Sequence, residues 1–532
     1  MTSVTTSTLA RGGLALLACA SLTVAPGRTQ DNGLGGAMKM QLPDAALSGI
    51  DRGLRDQGPP MEPGGLSAQL LPNAESADGS KPQSLYTPGS VIVKFRAGAE
   101  PAAISSTMRA VVATAQPRPS WANFDIVDIP ASADPEAVAA ELSTRPEVEY
   151  AQARYVVRPM QYRPNDPLYT QQWNFPALDM ERAWDIQEGA SPDIIVAVLD
   201  TGVAFENRVV QFNARAWRLV DGSGQTLVAY PALGIINVRF AFAPELGGTK
   251  FVAPRDFIWD DNAPYDFEGH GTHVSGTIGQ LTNNAVGVAG MAFNVRIMPV
   301  KVLGSTWDFI FGNPTGGTDD VLARAIRYAA DNGAKVINLS LGRTAGGPAT
   351  VIDDALRYAV SRGAFVAIAS GNSAEDGNGL NRIGESAPAI PGVMTVAAVG
   401  RNLERAYYST FNTSVEIAAP GGDQRRNGRT GGILQQTLDA DLLHTYEGGP
   451  STYRAPQLDA FVYEFYQGTS MATPHVAGFA ALLMQQGITS PAAVEAAIKQ
   501  YASDLGPTGV DTNYGHGLIQ PRATLRGLGL AR

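Results

Sequence analysis

The chain has 532 residues, of which 44% are hydrophobic and 17% charged, a composition that can bury a large core. Its net charge of −10 disfavours nucleic acid as a partner, because nucleic-acid binders need a basic surface that releases counterions. The single cysteine, Cys19, excludes an internal disulfide framework and a multi-cysteine metal site.

Residues 1–25 have the pattern of an export signal. Arg11 precedes an apolar run, Gly12 to Ala25, that is shorter than the ~20 residues needed to span a bilayer. We therefore predict a secreted protein, extracellular or periplasmic. Cys19 lies in a small-x-small cleavage pattern but would also fit a bacterial lipoprotein signal, in which it would be acylated, and this alternative stays open. No later apolar run approaches the length of a membrane span.

Two segments precede the main domain. Residues 26–83 are rich in Gly, Pro, Ser, Asp and Gln without a sustained period, which predicts a flexible linker. Residues 84–160 predict a small α+β domain of ferredoxin-like, split-βαβ type. Its predicted strands and helices are, in order, Ser90–Phe95, Pro101–Ala115, Asn123–Ile129, Asp134–Ser143 and Val148–Val157. Residues 158–168 are polar and carry prolines, which predicts an exposed hinge.

Residues 165–522 predict an α/β domain with a doubly wound, mainly parallel sheet and helices on both faces. Continuous apolar runs are typical of parallel strands that are covered on both sides. The runs are Ile194–Leu199, Val295–Val302, Lys335–Leu339, Ala364–Ala369, Val393–Val399 and Val415–Ala418. Phe205–Pro244 and Gly421–Tyr466 break the pattern and are predicted to be insertions or long surface loops, and 523–532 a tail.

Three polar residues stand where catalytic chemistry is expected. Ser470 lies at the start of an apolar helix, whose dipole favours a developing negative charge. Its hydroxyl needs a base, and His270 stands among glycines that let a helix N-terminus approach another backbone. Asp200 ends a buried strand, the usual place for functional residues of open α/β sheets, and could orient that base. A zinc role for the histidines is disfavoured because the glutamate of the HExxH motif is missing.

The three motifs together resemble those of the subtilisin-like serine proteases. They read AVLDTGV (Ala197–Val203), GHGTHVSGTI (Gly269–Ile278) and GTSMATPHVAG (Gly468–Gly478), in the order Asp, His, Ser. The resemblance covers about 165–522 and implies a subtilisin-like fold and a serine endopeptidase. It implies the nucleophile for Ser470, the general base for His270 and the orienting carboxylate for Asp200. It also implies a side-chain oxyanion donor for Asn372.

The same resemblance implies how substrates and inhibitor bind. Ser340, Leu341 and Gly342 resemble the strand edge that pairs with an extended protein or peptide substrate. Ala369, Ser370 and Gly371 would line the opposite side, while His273 and His475 would have packing roles. The domain at 84–160 resembles the inhibitory propeptide of the family, an intramolecular inhibitor that self-cleavage within 157–168 would release. We expect the protein to be a monomer.

Structural calcium is a further implication. The loop 281–288 resembles the calcium loop of the family, and carboxylate and carbonyl oxygens suit Ca2+. The candidate ligands are Glu245, Leu281, Asn283, Asn284, Val286 and Val288. Glu245 departs from the aspartate that the family often has at this place. An acidic run before the histidine motif predicts either a second cation site or a solvated loop; it comprises Asp256, Asp260, Asp261 and Asp266.

The function that the sequence favours is a secreted, broad-specificity serine endopeptidase made as a self-processing zymogen. One alternative is a narrow-specificity processing protease, in which Glu375, Asp376 and Glu385 would favour basic substrates. The other is a catalytically inactive scaffold on the same fold, which is disfavoured because every catalytic role is filled.

Overall fold

The computed structural model describes residues 39–41, 86–111, 113–116, 118, 121–155, 162–247, 250–313 and 316–528. The predicted signal, Cys19 and most of the predicted linker lie outside these residues. The described part of the linker is a short strand, β1 (Lys39–Gln41), which the linker prediction does not include. The chain forms two compact units, residues 64–160 and residues 1–63 together with 161–532.

The smaller unit is an antiparallel sheet with two helices. Its elements are β2 (Tyr86–Phe95), α1 (Pro101–Ala110), β3 (Thr114–Ala115), β4 (Asp125–Asp128), α2 (Pro135–Ser143) and β5 (Val148–Tyr155). The strand order is β3-β4-β2-β5. Alternate residues of β2, Val91 and Val93, are fully buried, as the period of a strand requires. The first helix ends five residues before the predicted end, at Ala110, because Thr114 and Ala115 pair with β4 instead.

The larger unit contains the remaining elements. Its strands are β6 (Ile195–Asp200), β7 (Arg208–Ala214), β8 (Trp217–Val220), β9 (Thr226–Tyr230), β10 (Gly234–Phe240), β11 (Arg255–Asp256), β12 (Arg296–Lys301), β13 (Val336–Leu339), β14 (Phe365–Ala369), β15 (Val393–Val399), β16 (Ile417–Pro420), β17 (Ile433–Leu438) and β18 (Phe461–Tyr466). Its helices are α3 (Asn174–Ala177), α4 (Met180–Trp184), α5 (His270–Gly279), α6 (Thr306–Ile310), α7 (Asp319–Asp331), α8 (Thr350–Ser361), α9 (Gln424–Asn427), α10 (Ala440–Leu443), α11 (Thr469–Gln485), α12 (Pro491–Gln500) and α13 (Pro521–Gly527). The last helix begins at the end of the predicted domain 165–522 and extends into the stretch 523–532 predicted to be a tail.

A seven-stranded parallel sheet forms the centre of the larger unit, in the order β11-β12-β6-β13-β14-β15-β16. Alternate residues of β6 belong to different cores. Val196 and Val198 pack with α5 and α11, whereas Ala197 and Leu199 pack with α7 and α8. The predicted doubly wound α/β fold is therefore confirmed. The carboxyl ends of β6, β13 and β14 meet at one edge of the sheet, which is where a site is expected.

The two predicted insertions are not surface loops. Residues 205–244 contain β7 to β10, in which β8 and β9 form an antiparallel hairpin, β7 pairs antiparallel with β10, and β1 adds a strand to β8. Residues 421–466 contain the hairpin of β17 and β18, and every residue of β17 is buried. The insertions also contact each other. The rings of Tyr230 and Tyr453 lie with their centroids 5.2 Å apart, and the Tyr230 hydroxyl donates to the Tyr446 carbonyl at 2.8 Å.

The predicted hinge is partly folded. The backbone N–H of Tyr162 donates to Asp185 Oδ1 at 2.6 Å, and that of Leu168 donates to the Gly287 carbonyl at 2.7 Å. Asp166 is 3% exposed. Arg163, Asn165 and Pro167 are exposed, as predicted, but bonds from Asp166 and Leu168 to loop 281–288 tie the stretch to the larger unit, unlike a free hinge. Among the described residues, no helix is long and apolar enough to cross a membrane.

Candidate active site

Asp200 and His270 are brought together by a strand end and a helix start. Asp200 ends β6 and is completely buried, and His270 is the first residue of α5. His270 Nδ1 lies 2.7 Å from Asp200 Oδ1, so the proton on this nitrogen is donated to the carboxylate. The helix can approach because residue 271 is glycine: a Cβ there would lie 2.0 Å from the Gly202 carbonyl oxygen. This is the close backbone approach that the glycines predict.

Asp266 holds the start of the same helix. Its carboxylate accepts from the backbone N–H of Gly269 at 2.8 Å and of Thr272 at 3.0 Å, which satisfies donors that a helix start leaves unpaired. It also accepts from the Thr201 hydroxyl at 2.9 Å. Asp266 therefore joins the residue after Asp200 to the helix that carries His270. Sequence reasoning placed Asp266 in an acidic run and missed this role.

The electrostatic surroundings of His270 favour its protonated form. Burial lowers the pKa of His270, but the charge and hydrogen bond of Asp200 raise it, with further contributions from Asp266 and Glu268. The net pKa is above the ordinary value of 6.5. The imidazole is 13% exposed, which leaves an edge open to a substrate.

Ser470 lies in the first turn of α11, as the sequence predicts. Its hydroxyl donates to the Ser340 carbonyl at 3.1 Å, and the Ser340 hydroxyl donates to the Ser470 carbonyl at 2.8 Å. Among the hydrogen bonds of the described residues, none joins the Ser470 hydroxyl to His270. The serine is thus at the expected place with its hydroxyl turned toward β13.

Two N–H donors lie close to Gly468. A Cβ on this glycine would lie 3.5 Å from Asn372 Nδ2 and 3.5 Å from the backbone nitrogen of Ser470. The Asn372 amide is oriented by Thr469, whose backbone N–H and hydroxyl both donate to Asn372 Oδ1 at 2.9 Å. Within the described part of the chain, no hydrogen bond uses Asn372 Nδ2, and it points to the same side as the Ser470 N–H at Gly468. Thr469 is a neighbour that sequence reasoning missed, although it lies inside the serine motif.

The segments predicted to bind substrate follow β13 and β14. Ser340 and Ser370 are buried, while Gly342 is exposed. Asn381 joins the two sides, because its Nδ2 donates to the Leu341 carbonyl at 3.2 Å and to the Ala369 carbonyl at 2.7 Å. A Cβ on Gly342 would lie 2.3 Å from Asn381 Nδ2, so only glycine fits there. No signal in the single sequence pointed to Asn381.

The other histidines of the motifs are buried and internally bonded. His273 Nε2 lies 3.1 Å from the Ile433 carbonyl oxygen, and burial lowers the pKa of His273 to about 3. His475 Nδ1 lies 2.8 Å from the Met471 carbonyl oxygen, and burial lowers the pKa of His475 to about 4. Both rings stay neutral at ordinary pH, as packing roles require.

The loop 281–288 packs against two buried carboxylates. Glu245 is 2% exposed and accepts from the Val288 N–H at 3.1 Å. Asp166 accepts from the Asn283 N–H at 2.7 Å. Burial raises the pKa of Glu245 to about 7 because it disfavours the charged carboxylate, and the charge of Asp166 adds a smaller contribution in the same direction. A divalent cation would stabilise the charged form of these two buried carboxylates, and carboxylate oxygens are ligands that calcium prefers, so the two residues are compatible with a calcium ion. Asp166 is a carboxylate that the predicted ligand set did not include.

The other predicted calcium ligands are bonded to the backbone of Glu245 or within their own loop. The Leu281 N–H donates to the Glu245 carbonyl at 2.7 Å, and Asn284 Oδ1 accepts from the Val286 N–H at 2.9 Å. Val286 is 49% exposed. Among the described residues, no group of three or more His, Cys, Asp or Glu side chains could hold a metal.

The acidic run before His270 is neither a cation cluster nor a solvated loop as a whole. Asp256 and Asp266 are buried and accept backbone hydrogen bonds, whereas Asp260 is exposed and pairs with Arg255. Each of these carboxylates therefore binds groups in its own surroundings, and they do not form one site. Both sequence interpretations fail, because the turns of the segment direct its carboxylates to different places.

Two of the carboxylates invoked for basic specificity already have cationic partners. Glu375 pairs with Arg425, one contact being 2.8 Å, and Glu385 accepts from Arg382 at 2.9 Å. These pairs compensate the negative charge that the basic-specificity alternative needs.

The parallel sheet with helices on both faces carries the Asp200, His270 and Ser470 motifs on elements that pack together, β6, α5 and α11. The subtilase family matches residues 191–517, and the fervidolysin N-terminal prodomain matches residues 72–153. The chain belongs to the subtilase family of serine proteases and carries an N-terminal prodomain of this kind, as the sequence motifs predict.

Several relatives match over most of the chain. The thermophilic serine proteinase of Bacillus sp. (strain AK1) is 32% identical over 439 residues, covering 82% of this chain and 87% of that protein. Thermitase of Thermoactinomyces vulgaris is 32% identical over 353 residues, covering 65% of this chain and 94% of that protein. A solved protease of Pseudoalteromonas arctica is 28% identical with a TM-score of 0.50, covering 68% of this chain and 99% of that one.

Proposed function

We propose that the protein is a secreted serine endopeptidase that hydrolyses peptide bonds through an acyl-enzyme on Ser470. The observation that carries this proposal is the bond of 2.7 Å between His270 and the buried Asp200, with His270 on a helix, α5, that packs against the helix bearing Ser470, α11. Asp200 fixes the His270 tautomer so that Nε2 is the basic nitrogen. The coarser conclusion, a subtilisin-like serine protease with a propeptide, rests on the family match.

The proposed reaction begins with a rotation of the Ser470 side chain. Its hydroxyl leaves the Ser340 carbonyl and donates to His270 Nε2. Ser470 Oγ then attacks the scissile carbonyl while His270 takes its proton, and the new oxyanion lies beside Gly468, between Asn372 Nδ2 and the Ser470 N–H. His270 gives the proton to the amine nitrogen as the C–N bond breaks. The amine departs and the acyl group stays on Ser470 as the acyl-enzyme. Water activated by His270 hydrolyses the ester and restores Ser470.

Substrate would lie in extended form between the segments that follow β13 and β14. Asn381 fixes the spacing of these two segments, since it binds a carbonyl of each. Main-chain hydrogen bonds would supply affinity, and side-chain pockets the specificity. We favour broad specificity over a basic preference, because Glu375 and Glu385 are paired with arginines.

The prodomain supports synthesis as a zymogen. In the proposed maturation the protein cleaves itself before the folded start of the peptidase unit. Residues from Tyr162 onward are bonded into that unit, which favours a cleavage site at 157–161 within the predicted range of 157–168. The N-terminal segment, and the name of a 30% identical relative, the extracellular protease of Xanthomonas campestris, support secretion. Lipidation of Cys19 is the alternative form of export.

We further propose that Glu245, Asp166 and oxygens of loop 281–288 hold a structural calcium ion. Bound calcium would neutralise the two carboxylates and fix the loop. We further propose that the protein acts as a monomer.

A comparison of the full-length wild type with Ser470→Ala tests the proposal. Intact mass is followed over time, with and without a serine-directed phosphonate. We expect the wild type to lose the prodomain and to be labelled on Ser470, while the variant stays full length and unlabelled. If both proteins stay intact and unlabelled with calcium present, the proposed catalytic site is not assembled.

A further inference from the structure

The loop between β17 and β18 brings a histidine to the catalytic helix. His444 follows α10, and its Nε2 lies 3.6 Å from Glu268 Oε2. Its Nδ1 lies 3.5 Å from Glu447 Oε1. The side chains of His444 and Glu268 are 14% and 17% exposed, so their charges are only weakly screened by water. Glu268 stands two residues before His270.

Both sides of this contact are fixed by other bonds. The Thr437 hydroxyl, at the end of β17, donates to the Gly269 carbonyl at 2.6 Å. The indole N–H of Trp307 donates to the Leu443 carbonyl at 2.8 Å. His444 is therefore held between two anchored backbones, in contrast to a surface ion pair whose partners move freely.

We propose that His444 and Glu268 form a charge-setting pair that controls how strongly His270 holds a proton. His444 belongs to the 439–460 loop, so this loop supplies a residue that acts on the proposed catalytic base through Glu268. The effect of the pair on turnover rests on the proposed function, but its effect on the proton affinity of His270 does not.

The charges around the pair give the sign of the effect. The groups that face His444 are Glu268, Glu447 and Asp266; burial lowers the pKa of His444, but these carboxylates outweigh it and the net pKa is raised. The groups that face His270 are Asp200, Asp266 and Glu268. Glu268 therefore strengthens proton binding at His270, and protonated His444 opposes it. Removing Glu268 must therefore lower the pKa of His270, and removing His444 must raise it.

The test uses the full chain with Ser470→Ala as background, so that the zymogen stays intact. The structure bonds the Ser470 hydroxyl to Ser340, so this change leaves the His270 hydrogen bonds in place. The five histidines of the chain are labelled with 15N and titrated by NMR. We expect His444→Gln to raise the pKa of His270 by about half a unit, and Glu268→Gln to lower it by a similar amount.

The double variant and a matched control sharpen the result. In the Glu268→Gln background, His444→Gln has a smaller effect, because His444 has lost its main counter-charge. His516→Gln removes a histidine whose charged neighbours are Lys499 and Glu495, and it leaves His270 unchanged. A His270 titration that is the same in wild type, His444→Gln and Glu268→Gln overturns the proposal. So does a shift in the same direction in both variants.

Turnover supplies a second readout in proteins that retain Ser470. The acid limb of kcat/KM moves in the same directions as the NMR titration. A fall in kcat at every pH without movement of the limb would assign His444 a merely structural role and contradict the proposal. Phosphonate labelling of the same samples tests the proposed function separately. If the wild type is not labelled, the proposed function is contradicted, but the NMR titration still tests the effect of the pair on His270.

Discussion

Replacing Thr469 by valine removes one of the two bonds that orient Asn372 without changing the shape of the side chain. The Thr469 hydroxyl donates to Asn372 Oδ1 at 2.9 Å and accepts from the Gly371 N–H at 3.2 Å. The backbone N–H of residue 469 still holds the amide in the variant. Loss of a whole oxyanion donor costs on the order of 10²–10³ in turnover. For the loss of one anchor of that donor we therefore expect kcat to fall about tenfold, with KM nearly unchanged.

Stability changes by a separate amount. Thr469 is 1% exposed, and the variant leaves the Gly371 N–H without its partner, which costs about 1–3 kcal/mol. The assay measures kcat and KM on a chromogenic peptide, normalised by active-site titration, together with urea unfolding. Thr469→Ser keeps the hydroxyl and serves as the matched control. A valine variant that is less stable but turns over like the wild type would refute the proposed anchoring of Asn372.

Four further outcomes are expected. Because the proposed base is neutral His270, whose pKa lies above 6.5, kcat/KM rises through an apparent pKa above 6.5; an acid limb at or below that value contradicts the assignment. Gly468→Ala places a methyl group 3.5 Å from both N–H donors, where it obstructs the proposed oxyanion, and lowers kcat at least ~100-fold, whereas Gly487→Ala, also at positive φ but with no atom within 4 Å of its Cβ, leaves kcat unchanged. Folding raises the pKa of Glu245 from 4.5 to about 7, so the calcium-free protein loses roughly 3 kcal/mol of stability as the pH rises between these two values. Thermal unfolding shows that added calcium restores this stability. Glu245→Gln abolishes both responses, and a calcium response that survives in this variant would place the ion elsewhere. Trp307→Ala opens a cavity at a fully buried indole and lowers the free energy of unfolding in urea by about 3–5 kcal/mol, and a loss below 1 kcal/mol would mean that the insertions do not depend on this contact.

The sequence alone determined the parallel core and the location of the candidate site. Strands such as β6 and β14 are continuous apolar runs because both faces are covered, and that composition is visible without a structure. The positions of Asp200, His270 and Ser470 followed from motifs whose spacing is local. Prediction was also correct that glycine permits close backbone contact at residue 271, since the need for a missing Cβ is a property of one residue.

Only the tertiary structure decided how distant segments meet. Asp166 and Glu245 are far apart in the chain, and burial beside the same loop is what makes them a candidate calcium site. Asp266 became a buried helix cap, although its neighbours in sequence suggested a cation site or a solvated loop.

The two insertions show the same limit most clearly. The spacing of their aromatic residues in the sequence does not indicate which residues they contact. The contact of Tyr230 with Tyr446, for example, joins residues 216 apart in the chain. Packing of these segments places His444 against Glu268. Local periodicity determines which face of an element is buried, but the surface that covers it is chosen by the folded chain as a whole.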